Sequence, residues 1–114
     1  MGRAAALILA ALFSALALAH HGWSEYDSTK LLKLSGKILE SGYEHPHGYI
    51  RLETPGKNWL CVLAPPSRME MRGLSKELLK TGASVTVEGY ANRGNPEEMR
   101  AERVIAGGKT VELR

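Results

Sequence analysis

Cysteine is almost missing from this chain. Cys61 is the only one, so no internal disulfide can form, and neither a paired-cysteine zinc motif nor a haem-attachment Cys-x-x-Cys-His is available. The remaining roles for it are burial, pairing with another molecule, or a metal-binding thiolate. Its setting in the apolar run Trp59-Leu60-Cys61-Val62-Leu63 favours burial, the usual state of a free cysteine. Phenylalanine is equally scarce, with one residue at position 13, which leaves two tryptophans and four tyrosines as the other aromatics. There is no Gly-rich phosphate loop, and no Ser/His/Asp set that the order of residues compels. Charge of one sign is lacking too: 15 Lys and Arg stand against 12 Asp and Glu, interleaved along the chain. No basic block with interleaved aromatics exists, which argues against a nucleic-acid partner.

The one long apolar run is at the start. Met1-Gly2-Arg3 supplies a short positive leader before Ala4 to Ala19, and the run closes on Ala17-Leu18-Ala19, a small-x-small pattern followed at once by polar residues. It is too short to span a bilayer and has no basic stop-transfer flank, so it reads as a cleavable secretory signal over residues 1–19 rather than a permanent membrane anchor. Cys61 lies far from this leader, which speaks against a lipoprotein. The expected location is periplasmic or secreted. Removing 19 of 114 residues leaves 95, one modest domain, and removing Arg3 leaves 14 basic against 12 acidic residues, a net charge of +2.

After the signal, residues 20–31 show no clear period and read as an irregular or extended arm. From Leu32 the pattern alternates, with Leu32, Leu34 and Ile38 on one face and Lys33, Ser35 and Lys37 on the other. Gly36 suggests a bulge or sharp coil. A turn through Glu44-His45-Pro46-His47-Gly48 leads to a strand from Tyr49 to Thr54, and Pro55-Gly56-Lys57-Asn58 connects it to another from Trp59 to Leu63. Ala64-Pro65-Pro66 ends the meander and opens a crossover, in which Ser75 can cap a short helix over Lys76 to Lys80 with Leu78 and Leu79 facing inward. Strands over Val85 to Gly89, Met99 to Ile105 and Thr110 to Leu113 follow. The expectation is a mainly β domain over residues 32–114: a small OB-like barrel of five to six strands with one short helix. A compact β-sandwich-like roll fits the same strand count.

All four histidines fall in two tight pairs, His20-His21 at the expected mature terminus and His45-Pro46-His47 in the first hairpin turn. Imidazole is the commonest side-chain ligand for copper, zinc and nickel. An N-terminal His20 can chelate a metal through its α-amino nitrogen and its own ring, and a second imidazole from His45 or His47 would complete a three-nitrogen set suited to Cu(II). That arrangement resembles the histidine brace of certain secreted copper proteins, and it requires cleavage at Ala19. Cleavage one residue earlier would instead put a histidine third, where it binds Cu(II) or Ni(II) through deprotonated backbone amides. The plainer account is that both pairs are solvated surface. A copper brace can support oxygen chemistry, but no substrate platform is evident, so the sequence leans away from an enzyme. Tyr26, Tyr43 and Tyr49 could approach the histidines and are equally well explained as strand-end packing.

The opening His20-His21-Gly22-Trp23-Ser24-Glu25-Tyr26-Asp27, the His45-Pro46-His47 turn, Ala64-Pro65-Pro66-Ser67-Arg68-Met69 with Arg72-Gly73-Leu74, and Met99-Arg100-Ala101-Glu102 resemble a family of small exported bacterial proteins of unknown function. The resemblance implies export and this fold. Its members usually open His-His after the signal and carry Asn-Pro-His in the first turn, so His20, His21, Pro46 and His47 match the pattern while His45 stands where asparagine is usual. His47 is thereby the better ligand candidate. Arg68 and Arg72 are candidates for an anion or a partner carboxylate, since guanidinium forms bidentate pairs; the plainer role is covering a barrel end. Two functions therefore stand: an exported copper carrier or buffer with ligands among His20, His47, His21 and His45, and a metal-independent module that binds a periplasmic protein or glycan partner.

Overall fold

The computed structural model describes residues 22–114; His20, His21 and the whole expected signal lie outside the described residues. Six strands, β1 (Tyr26–Gly42), β2 (Tyr49–Thr54), β3 (Lys57–Val62), β4 (Ser84–Asn92), β5 (Glu98–Ala106) and β6 (Lys109–Glu112), form one sheet in the order β3-β2-β1-β4-β5-β6. A parallel pairing of β3 with β5, Leu60 to Val62 against Glu98 to Arg100, closes β1 to β5 into a barrel. The other pairings are antiparallel. The expected OB-like barrel is therefore observed, with β6 lying along the later half of β5, beyond the stretch that β3 occupies. Closure removes most free edges, which lets a chain of this size enclose a core.

The long first strand serves two neighbours. Leu31 to Lys37 pair with β4, and Lys37 to Gly42 pair with β2. Gly36 sits at the changeover. A Cβ there would run into the carbonyl oxygen of Glu53, so the residue is a site of close backbone approach. The register irregularity that Gly36 suggested falls instead between Ile38 and Glu40, leaving Leu39 exposed. The anticipated alternation is otherwise present: Ile38 is buried and Leu32 and Leu34 pack on the core.

Two differences from the sequence reading concern element bounds. The chain enters the sheet at Tyr26 rather than Leu32, because Tyr26 pairs with Asn92 while the register slips before Leu31. That slip hides any period. The α-helix, α1, spans Pro66–Met71, and the segment expected to be helical is a 3₁₀ turn, Lys76–Leu79, without a side-chain cap from Ser75. Pro66 in the first turn explains α1: a proline there lacks only an N–H that has no intrahelical partner, and its fixed φ suits the helix. Met69 from α1, with Leu74 and Leu79, adds to the core of Ile38, Ile50, Leu52, Cys61, Leu63, Val85, Val87, Met99 and Val104. Cys61 is fully buried, as its neighbours suggested, and burial pushes its thiol pKa up to about 12.

A candidate site between the first turn and the N-terminal arm

The turn between β1 and β2 is held at one end by the barrel. Gly48 donates its N–H to Ala64 and accepts from the N–H of Leu63, at 2.9 and 2.8 Å, so the β2–β3 ladder continues one residue beyond Tyr49. His47, next in line, is half-buried and its Nδ1 is shielded from solvent; His45, before a cis bond to Pro46, is exposed. His47 lines two adjoining hollows. One, about 320 Å³, lies on the outer face of β2 and β3 and is walled by Pro46, Tyr49, Arg51, Leu60 and Val62. The other, about 350 Å³, brings His47 together with His45, Glu44 and Tyr49. On the rim Glu40 accepts from Tyr49 Oη (3.1 Å) and from Arg51 Nε (2.9 Å), and the first of these raises the Tyr49 pKa.

The register shows what lies beside this turn. Cys61, Ile50 and Met99 point into the core, so the residues adjacent to them, Val62, Tyr49 and Arg100, share the outer face along one row: Tyr49 opposite Val62, Val62 opposite Arg100, Arg100 opposite Tyr90. On that row the N-terminal arm is fastened. After the 3₁₀ turn Trp23–Glu25, the Tyr26 ring is buried with 1 % exposure, outside the apolar cluster of the barrel, and its hydroxyl donates to Glu98 Oε2 at 2.6 Å. Asn92 Nδ2 donates to the same oxygen. Burial and then Glu98 push the Tyr26 phenol pKa well above the usual range.

Trp23 completes this outer layer. Its ring meets Tyr26 and Tyr90 edge-on at 6.4 and 6.3 Å, while the guanidinium carbons of Arg100 and Arg114 each lie 4.4 Å from its centroid. Arg93 ties the arm from the β4–β5 loop, its N–H to the Glu25 carbonyl and its Nε to the Ser24 carbonyl. Arg100 is only 7 % exposed, and burial, with the neighbouring Arg68 and Arg114, lowers its pKa against a partial offset from Tyr26.

Of the candidate residues, the structure brings His45 and His47 to one hollow and sets Arg68 and Arg72 elsewhere. Arg68 donates to the Leu113 carbonyl, and Arg72 to those of Glu112 and Arg114, so both fasten the C-terminal segment against α1. Among the described residues, no three His, Cys, Asp or Glu side chains converge as a metal-holding group. A complete nitrogen set would need His20 or His21. Sequence reasoning passed over Trp23, Tyr90, Asn92, Glu98, Arg100 and Arg114. The available signal was a pair of aromatics, Trp23 and Tyr26, in an otherwise polar arm.

The fold and this outer layer define a small OB-like barrel with its N-terminal arm docked across two strands. The chain belongs to a family of unknown function, DUF6152, whose model matches residues 8–100. Comparison with curated proteins finds no match. Among solved structures it is similar to the crystal structure of TiaS in complex with an isoleucine tRNA and ATP, with TM-score 0.52, 21% identity, and coverage of 77% of this chain and 19% of that one. It is similar also to the crystal structure of the ZRD-deleted mutant of TiaS in complex with agmatine, with TM-score 0.51, 21% identity, and coverage of 77% and 25%. This chain spans a quarter or less of those proteins, and the likeness is one of fold, which does not assign an activity. No helix among the described residues is long and apolar enough to cross a membrane.

Proposed function

We propose that the protein is exported to the periplasm by its leader and there binds one metal ion, copper, as a carrier or buffer. The ligands are the amino group and ring of His20 with the imidazole of His47, assisted by His21 or His45. One observation supports this reading: Trp23 is fastened over Arg100, on the same outer row as Val62 and Tyr49. Neighbouring strands lie about 4.8 Å apart, so two steps from Arg100 to Tyr49 cover about 10 Å, and His47 stands two residues, about 7 Å of extended chain, before Tyr49. Three residues of extended chain, the separation of His20 from Trp23, also cover about 10 Å. Each imidazole adds its own reach. A mature terminus at His20 can thus meet a ligand that the Gly48 hydrogen bonds hold in place.

The test is a Cu(II) titration followed by EPR on protein exported and processed by a bacterial host, its N-terminus checked by intact mass. A tight one-to-one spectrum with nitrogen couplings, altered in His47→Ala, is expected. Weak binding, or binding indifferent to His47→Ala, refutes the copper reading. The hollow beside Tyr49, Leu60 and Val62 supports a second reading, a metal-independent module that takes a periplasmic protein or glycan on that face. Because Arg68 and Arg72 hold the C-terminal segment, that reading predicts that Leu60→Asp abolishes partner capture with or without metal and that changes at Arg68 do not.

A further inference from the structure

We infer that Trp23 is a positioning residue for the N-terminal arm: its ring, gripped by Arg100 and Arg114 and braced by Tyr26 and Tyr90, is a latch that holds the arm on the outer row of the barrel that leads to the first turn. The choice of site as a copper centre rests on the function proposed above; the latch itself does not. Its evidence is the second buried layer outside the barrel. A residue as large as Tyr26 is buried there without joining the barrel core, and a nearly buried arginine lies under the Trp23 ring. Arginines repel one another, and burial penalises the Arg100 charge. An aromatic face set against two such groups offsets part of that penalty through cation–π attraction, and it does so only while the arm is docked.

The latch also joins three separate parts of the chain. Trp23 comes from the arm, Arg100 from β5, and Arg114 from the segment that Arg72 holds against α1. Displacing any one of them loosens the others. The interactions are of a kind that open and close locally, since the edge-on ring contacts and cation–π pairs are each modest while the barrel beneath is closed by hydrogen-bonded ladders.

The experiment compares wild type, Trp23→Ala, Trp23→Phe and Arg114→Gln, first without metal. The exchange of the Arg93 amide, which is bonded to the Glu25 carbonyl, reports docking; the amides of Val87 and Val104 report the barrel. Trp23→Ala is expected to speed exchange at Arg93 by about tenfold or more, with Arg114→Gln in between and Trp23→Phe restoring most of the protection. Val87 and Val104 should be unchanged in all four. With Cu(II), Trp23→Ala should lose the His47-dependent couplings and about tenfold or more in affinity, although both histidines remain, and Trp23→Phe should recover them. Unchanged Arg93 exchange in Trp23→Ala overturns the latch whatever copper does. Faster Arg93 exchange in a protein whose wild type shows no His47-dependent copper spectrum leaves the latch standing and removes only the copper reading. Should Trp23→Ala fail to fold, Arg114→Gln carries the same comparison from the exposed side of the ring.

Discussion

Replacing Tyr26 with phenylalanine isolates the hydrogen bond that fixes the start of β1. The ring is retained, so no cavity opens, and the loss is the donation to Glu98 Oε2 at 2.6 Å. A hydrogen bond to a charged group contributes about 1.5–3 kcal/mol. Glu98 is half-buried, keeps the Asn92 amide at 3.0 Å, and recovers some water, which reduces the expected destabilisation to about 1–2 kcal/mol. For a domain of this size that lowers Tm by about 5–15 °C. Urea unfolding of Tyr26→Phe, Glu98→Gln and the double variant measures it as a cycle, in which a coupling of about 1 kcal/mol is expected. The pH dependence gives an independent check. Because the folded pKa of Tyr26 is raised, its contribution is complete below the unfolded phenol value of about 10 and is lost as pH rises from there through the folded value. Wild type should therefore lose stability above about pH 10 more steeply than Tyr26→Phe. Additivity of the two single variants within about 0.3–0.5 kcal/mol, together with parallel alkaline profiles, would refute the assignment of this bond as the arm's anchor.

Gly36→Ala and Gly89→Ala each drive a Cβ into a backbone carbonyl, of Glu53 and Arg100 respectively; each should destabilise the fold by about 3 kcal/mol in urea unfolding, and a change under 1 kcal/mol would contradict the close approach. Cys61 should react with a thiol reagent only at the rate of barrel opening, because burial pushes its pKa up to about 12 and its sulfur is covered; rapid labelling in native buffer would contradict its placement. The Arg103 hydrogen bond lowers the Glu112 pKa, so its contribution is present above the unfolded carboxylate value and fades as pH falls through the folded one. An acid melt should accordingly show a shallower decline for Arg103→Met than for wild type, and identical slopes would count against the pair.

The barrel was legible where burial follows a simple period. Leu32, Leu34 and Ile38 announce β1, Val85 and Val87 announce β4, and the proline and glycine turns delimit β2 and β3 closely. His45 and His47, two positions apart in the first turn, line one hollow. What escaped depends on partners distant in sequence. Tyr26 belongs to a strand because of Asn92 and Glu98, 66 and 72 positions away, and the slip before Leu31 leaves no alternation to read. The short α1 escaped for a different reason, since Pro65-Pro66 reads as a breaker unless the second proline happens to open a helix. Arg68 and Arg72 looked like free charge because backbone carbonyls at the far end of the chain, which satisfy them, carry no signature in side-chain type.

The docked arm also bears on how a site drawn from two chain segments can bind tightly. Fixing the backbone of one residue opposes binding by about 1–2 kcal/mol. An undocked arm would have Trp23, Ser24 and Glu25 to order when a metal joined its terminus to His47, whereas in the docked arm those three are already fixed. The difference, about 3–6 kcal/mol, is an upper bound, because the undocked arm remains tethered at β1 and is partly ordered by that. Even a third of it corresponds to about a tenfold change in affinity, since 1.4 kcal/mol is a factor of ten. Under the copper reading the aromatic layer therefore acts through entropy rather than through any bond to the ion. That origin has a consequence of its own: Trp23→Ala should weaken copper binding mainly in the entropy measured by calorimetry, whereas His47→Ala, which removes a ligand, should weaken it mainly in the enthalpy.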